Sequence, residues 1–155
     1  MKNIYEIFEE VRSTDSFSKK LEILRNNNYG NLVKIVLQGA FHPSIKYVFD
    51  KNNFPEYKAD KVPAGMGYTS ILTEMDRIYL FVVGSKKASP DLSLERRKAI
   101  LIQMLEAMEE KEAEVFKAMI LKDLSGFGIS YKLASEAFPD NLPNSPENDT
   151  ITYIS

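Results

Sequence analysis

LKDLSGFGISYKLASEAFP, residues 121–139, is the stretch on which the fold turns. A helix arriving through Ile120 and Leu121 meets Gly126-Phe127-Gly128 and breaks there, because glycine weakens a helix and readily forms its C-cap. Ser130 is suited to cap the next helix. That helix runs to Phe138 and stops before Pro139, since proline pushes the residue preceding it out of helical backbone.

Working upstream, a helix starts at Glu109-Glu110 and continues through Ala113, Phe116, Ile120 and Leu121. Its acidic start, with Lys117 and Lys122 near its end, suits the helix dipole. A long helix from about Ser93 to Met108 turns Leu94, Ile100, Leu101, Met104 and Leu105 inward. Before it lie Gly84 and a basic loop, Ser85 to Pro90. Thr69 or Ser70 opens the most apolar segment, Ile71 to Val82, which predicts a central, well-buried helix. Residues 50–67 are irregular, with Pro55, Pro63, Gly65 and Gly67, and carry Phe54 and Tyr57 to pack on the body. Ser44 is placed to cap a short turn through Ile45, Val48 and Phe49.

Three helices open the chain. The first, Asn3 to Arg12, lines up Ile4, Ile7, Phe8 and Val11 on one face. Ser16 or Ser18 caps the second, with Phe17 as a hydrophobic staple. The third starts near Gly30, buries Leu32, Val33, Val36, Leu37 and Ala40, and ends at His42-Pro43. The expected architecture is all-α: a single compact domain of about seven helices over residues 1–139. An acidic, proline-bearing flexible tail follows over residues 140–155. Ile151, Tyr153 and Ile154 at its end could offer a short strand to a protein partner; the plain alternative is a disordered terminus.

Composition narrows the function. The chain has 155 residues, 44% hydrophobic, enough for one domain with a core. No apolar run approaches the ~20 residues of a membrane helix, and Met1 to Phe8 has no signal-peptide core. A cytoplasmic protein without membrane contact is the expectation. The absence of cysteine excludes disulfides, zinc-thiolate sites and cysteine nucleophiles. The single histidine, His42, sits before a proline with no histidine partner and reads as a helix-end residue. Glu106, Glu109, Glu110, Glu112 and Glu114 read as a solvated face rather than a metal or acid–base site. Met66, Met75, Met104, Met108 and Met119 are spaced as core. No glycine-rich nucleotide loop is present. No catalytic residue, metal, cofactor or small-molecule substrate is expected, and so no enzyme.

The stretch at residues 121–139 is similar to the end of the DNA-binding domain of ATP-dependent DNA ligases, especially the small bacteriophage enzymes. The matching elements are Lys122-Asp123-Leu124, Gly128-Ile129-Ser130 and Phe138-Pro139. Lys19 to Leu24, Tyr47-Val48-Phe49 with Phe54-Pro55, and Gly67 to Leu72 resemble the family's second helix, aromatic middle and turn into its long helix. The likeness spans about residues 1–143, with a longer turn at Ser125 to Phe127. Stand-alone proteins of this kind resemble products of tailed phages, whose setting would be the host cytoplasm. A ligase needs a lysine in a Lys-x-Asp-Gly context. Lys58-Ala59-Asp60-Lys61 lacks the glycine and reads as a surface loop, and no nucleotidyltransferase domain follows.

What the resemblance implies is non-catalytic binding to double-stranded DNA with low sequence specificity. Lys122, Gly126, Gly128, Ser130 and Lys132 would form a phosphate-binding turn at a helix start. Gly67 to Ser70 would form a second. Lys86, Lys87, Arg96 and Arg97 form the densest basic cluster and would track phosphates; a solvated helix side, offset by Asp91 and Glu95, is the plain alternative. A net charge of −2 speaks against a strong non-specific binder. The competing expectation is a protein–protein adaptor or regulator that reuses the fold and binds a host or phage protein.

Overall fold

A side-chain oxygen sets the start of nearly every helix in the computed structural model, which describes residues 2–59, 62 and 66–143. Among these residues the chain forms seven α-helices and no strand. They are α1 (Ile4–Arg12), α2 (Phe17–Asn26), α3 (Leu32–Phe41), α4 (Ile71–Glu74), α5 (Leu94–Ala107), α6 (Glu110–Ile120) and α7 (Tyr131–Ala137). Asn3, Ser16, Ser70, Ser93 and Ser130 accept the N–H three residues on, at 2.9–3.3 Å. Glu109 accepts two, from Lys111 and Glu112, both at 3.0 Å. These oxygens satisfy N–H groups that have no partner within the helix. α3 uses a different device: Gly30 and Asn31 take positive φ, and Asn28 Oδ1 accepts from Lys34 N–H at 3.0 Å. Phe17 is 38% exposed, so it does not act as a staple.

The chain divides into two units. The first combines residues 1–44 with residues 122–155; the second is residues 45–121. In the first, α2 packs on α1 and α7, and α3 also meets α7. The predicted inward faces are buried there: Ile4, Ile7, Phe8 and Val11 of α1, and Val33, Val36, Leu37 and Ala40 of α3. Phe127, in a short 3-10 turn (Ser125–Phe127), fits between Tyr5 and Phe8, with ring centroids 5.8 and 5.5 Å away.

In the second unit α6 meets both α5 and α4. Leu101, Met104 and Leu105 of α5 are buried, as are Ala113, Phe116 and Met119 of α6. The long buried helix expected over residues 71–82 does not form. α4 covers four residues and is followed by 3-10 turns at Met75–Phe81. Val82 is extended, and Tyr47 and Val82 form an antiparallel bridge. Val48 N–H donates to Phe81 O at 2.8 Å, and Val83 N–H to Lys46 O at 2.7 Å. The extended backbone this pairing requires ends the helical run. Leu72 is exposed and Met75, Ile78, Tyr79 and Leu80 are only half-buried; of the apolar residues in this run, Ile71 and Phe81 are fully enclosed, Phe81 against Phe49. Met66, read as core, is 69% exposed.

Gly67 marks the tightest approach in this unit. A Cβ there would lie 2.7 Å from Glu109 N and 3.1 Å from Met108 C, both backbone atoms. Gly67→Ala must therefore displace main chain and is expected to cost about 1–3 kcal/mol in urea unfolding. Gly126 has open space around its Cβ position and no positive φ. Gly126→Ala is expected to stay within about 0.5 kcal/mol of the parent.

Candidate nucleic-acid interface

The glycine turn at residues 126–130 is held by the chain's own cations. Arg12 of α1 donates to Gly126 O at 3.1 Å, and Lys20 of α2 donates to Gly128 O at 2.9 Å. Gly128 has φ +70°, the left-handed region that glycine tolerates best, and its missing side chain gives Lys20 its path. Arg12 also lies 5.6 Å from the Phe127 ring centroid. Arg25 closes the far end, donating to Ala137 O at 3.1 Å and Glu136 O at 2.5 Å, where the α7 dipole favours a cation.

The expected site residues of this turn thus have internal work. Lys122 donates to His42 O at 2.6 Å, at the end of α3. Ser130 Oγ accepts from Leu133 N–H, so its hydroxyl serves as the α7 cap. Lys132 lies over the exposed Phe17 ring, 5.7 Å from its centroid, and remains open to solvent. His42 sits at the C-cap of α3, and its Nδ1 accepts from Ser44 N–H. Ile151, Tyr153 and Ile154 lie outside the described residues.

The second expected phosphate site, Gly67 to Ser70, also contains an anion from the chain itself. Glu112 Oε1 accepts from Ile71 N–H at 2.6 Å. Thr69 N–H goes to Ala107 O at 3.1 Å, and Ser70 Oγ accepts from Thr73 N–H. Thr69 Oγ1 donates to Glu74, which Arg77 grips with two nitrogens at 2.9–3.0 Å. The acids read as one solvated face therefore divide. Glu109 is buried as a cap, Glu112 is half-buried as a loop anchor, and Glu106 accepts Lys58 N–H at 2.7 Å. Glu110 is half-buried, and Glu114 keeps the expected open exposure with no hydrogen bond of this kind among the described residues. Asp60 and Lys61 lie outside the described residues.

The basic cluster of the second unit is different. Residues 77–98 hold six lysines and arginines against Asp91 and Glu95, whereas residues 99–121 hold five glutamates against Lys111 and Lys117. Lys86, Lys87 and Arg96 are exposed. Arg97 is half-buried, with Nε out of water and unbonded, and Lys98 pairs with Glu95 at 3.5 Å. The Tyr47–Val82 bridge adds Lys46, which the sequence reading passed over. Opposite residues of an antiparallel pair share a face, so Lys46 and Val83 project together. Gly84, at φ +75°, turns the chain so that Ser85 N–H returns to Val82 O. Lys86 and Lys87 then leave from the same end of the bridge. Lys46, Lys86 and Lys87 are exposed and make no ion pair among the described residues.

Among the described residues no group of three or more His, Cys, Asp or Glu side chains is placed to hold a metal ion. Nor is any helix long and apolar enough to cross a membrane.

Burial raises the Glu112 carboxyl above the usual glutamate range; the Ile71 N–H lowers it and Glu109 raises it further. The folded chain then keeps this proton at pH values where the unfolded chain has lost it. Glu112 contributes stability that is present below its unfolded pKa and lost as pH rises through the folded one. Glu112→Gln retains an acceptor for Ile71 N–H without the charge. The variant is expected to melt above the parent at pH 7 and level with it below about pH 4. Equal melting differences at both pH values would show that charge at this position is not the cause.

No curated protein matches the chain. Residues 7–125 match the profile of a family of unknown function, DUF6433. This match runs from within α1 through α2, α3 and the whole second unit, and the chain belongs to the DUF6433 family.

Proposed function

We propose that this protein is a non-catalytic binder of double-stranded DNA, of low sequence specificity, that contacts phosphates through its second unit. The observation that carries this reading is the corner at the Tyr47–Val82 bridge, where Lys46, Lys86 and Lys87 stand exposed without carboxylate partners among the described residues. Free cations of this kind release counterions from DNA when they meet phosphates, which is the main source of non-specific affinity. Arg96, exposed at the first turn of α5, is available to the same role. In the first unit Lys132 keeps a solvent-facing charge, whereas Lys122 already serves a carbonyl. The resemblance of residues 121–139 to the ligase DNA-binding domain supports the reading independently of these charges.

A second reading, a protein–protein adaptor, is favoured by a separate observation. Met66, Tyr68 and Leu72 are 69%, 92% and 49% exposed within one short segment. Large apolar side chains grouped at the surface mark contact sites.

Fluorescence anisotropy with nicked and intact duplex at low salt tests the DNA reading. Binding is expected to weaken as salt rises. Replacing Lys46, Lys86 and Lys87 by alanine is expected to reduce the slope of log affinity against log salt by about one per lysine. Failure to bind at micromolar protein, or binding indifferent to salt, sinks the idea.

A further inference from the structure

The segment Met66–Leu72 has two features that rarely occur together. Its backbone is fixed, and its largest side chains point into water. Gly67 lies against the backbone of Met108 and Glu109, Thr69 N–H is bonded to Ala107 O, and Ile71 N–H is bonded to the Glu112 carboxylate. Met66, Tyr68 and Leu72 stand outside this anchored path, Tyr68 almost wholly exposed. A tyrosine on a fixed backbone offers a large contact area with few rotatable bonds to order, which is why aromatic residues dominate interfaces.

The ground beneath this ridge is acidic. The α5–α6 junction it rests on carries Glu106 and Glu110, and one turn further Glu114, against Lys111. Burial, and after it Glu114 and Glu110, push the nearby Tyr57 hydroxyl up, as negative charge on α6 would. The exposed face of Tyr68 attracts a cation in its own right, arginine above all. A nucleic acid would meet repulsion here, whereas a positively charged peptide would find complementary charge and an apolar anchor.

From this we propose that the Met66–Tyr68–Leu72 ridge docks a segment of a protein partner that carries arginines or lysines between apolar residues. The inference rests on the adaptor reading and names the partner's chemistry. The basic corner at Lys46, Lys86 and Lys87 plays no part in it.

The test is an NMR titration of the full chain with three synthetic peptides of equal length: an Arg/Leu amphipathic peptide, its Glu/Leu counterpart and an arginine-only peptide. The Arg/Leu peptide is expected to shift the amides of residues 66–72. Tyr68→Ala and Leu72→Ser, both at exposed positions that leave the fold intact, are each expected to weaken it about ten-fold. Equal binding of the Glu/Leu or arginine-only peptide overturns the proposal, as does binding unchanged by Tyr68→Ala. If duplex DNA moves these amides instead, the ridge belongs to the DNA reading. If they shift with protein concentration alone, its occupant is a second copy. Either result overturns the proposal. A native partner captured by the chain, lost on deleting residues 144–155 yet unaffected by Tyr68→Ala, keeps the adaptor reading and refutes the ridge.

Discussion

Three cations on the first two helices hold the far end of the chain by its main-chain oxygens. Arg12, Lys20 and Arg25 reach the carbonyls of Gly126, Gly128, Glu136 and Ala137 across 108 to 114 residues of sequence. Carbonyls at a turn and at a helix end lack helical partners, and a charged donor makes a stronger hydrogen bond to them than a neutral one. The apolar packing of Phe127 on Phe8 and Tyr5 lies directly beside these bonds. Polar and apolar contacts thus fix the same turn, which in turn places Ser130 and α7. The first unit closes around this turn, with the buried faces of α1 and α3 beside it.

The same fastening redistributes the charge available for binding. A count of lysines and arginines overstates what a ligand can meet, because those nearest the glycine turn serve carbonyls. The second unit spends its acids in a comparable way: Glu112 occupies the start of α4, Glu109 that of α6, and Glu74 neutralises Arg77. What stays open is the lysine corner beside Val83 and the apolar ridge at Tyr68, two surfaces of opposite surroundings within one unit.

Much of the fold was legible because its signals are local. Helix starts at Ser16, Ser70, Ser93, Glu109 and Ser130 follow from short polar or acidic side chains ahead of periodic apolar residues, and all five act as caps. The failure at residues 71–82 has the opposite cause. Seven apolar residues at near-helical spacing satisfy a helix, and only the bridge to Tyr47, remote in sequence, turns Val82 out of it. The site was less legible for the same reason. Lys46 joins Lys86 and Lys87 only through that pairing. Lys20 reaches Gly128 only because the turn returns to α2. Nothing in the order of residues distinguishes a lysine that will meet solvent from one that will meet a carbonyl.

The first unit is assembled from both ends of the chain, while the second is one uninterrupted segment between them. Synthesis on a ribosome meets these in a fixed order. α1, α2 and α3 precede the second unit with their apolar faces only partly covered by one another, and they wait through it for Phe127 and α7 to arrive. Residues 45–121 can collapse meanwhile, since they form a compact unit of their own. Their early folding also shortens the loop that must later be closed, which lowers the entropy lost when Arg12 and Lys20 find their carbonyls. A nascent chain halted before residue 122 would thus hold one complete unit and three helices still lacking the cover of Phe127 and α7, a form open to aggregation or to a chaperone.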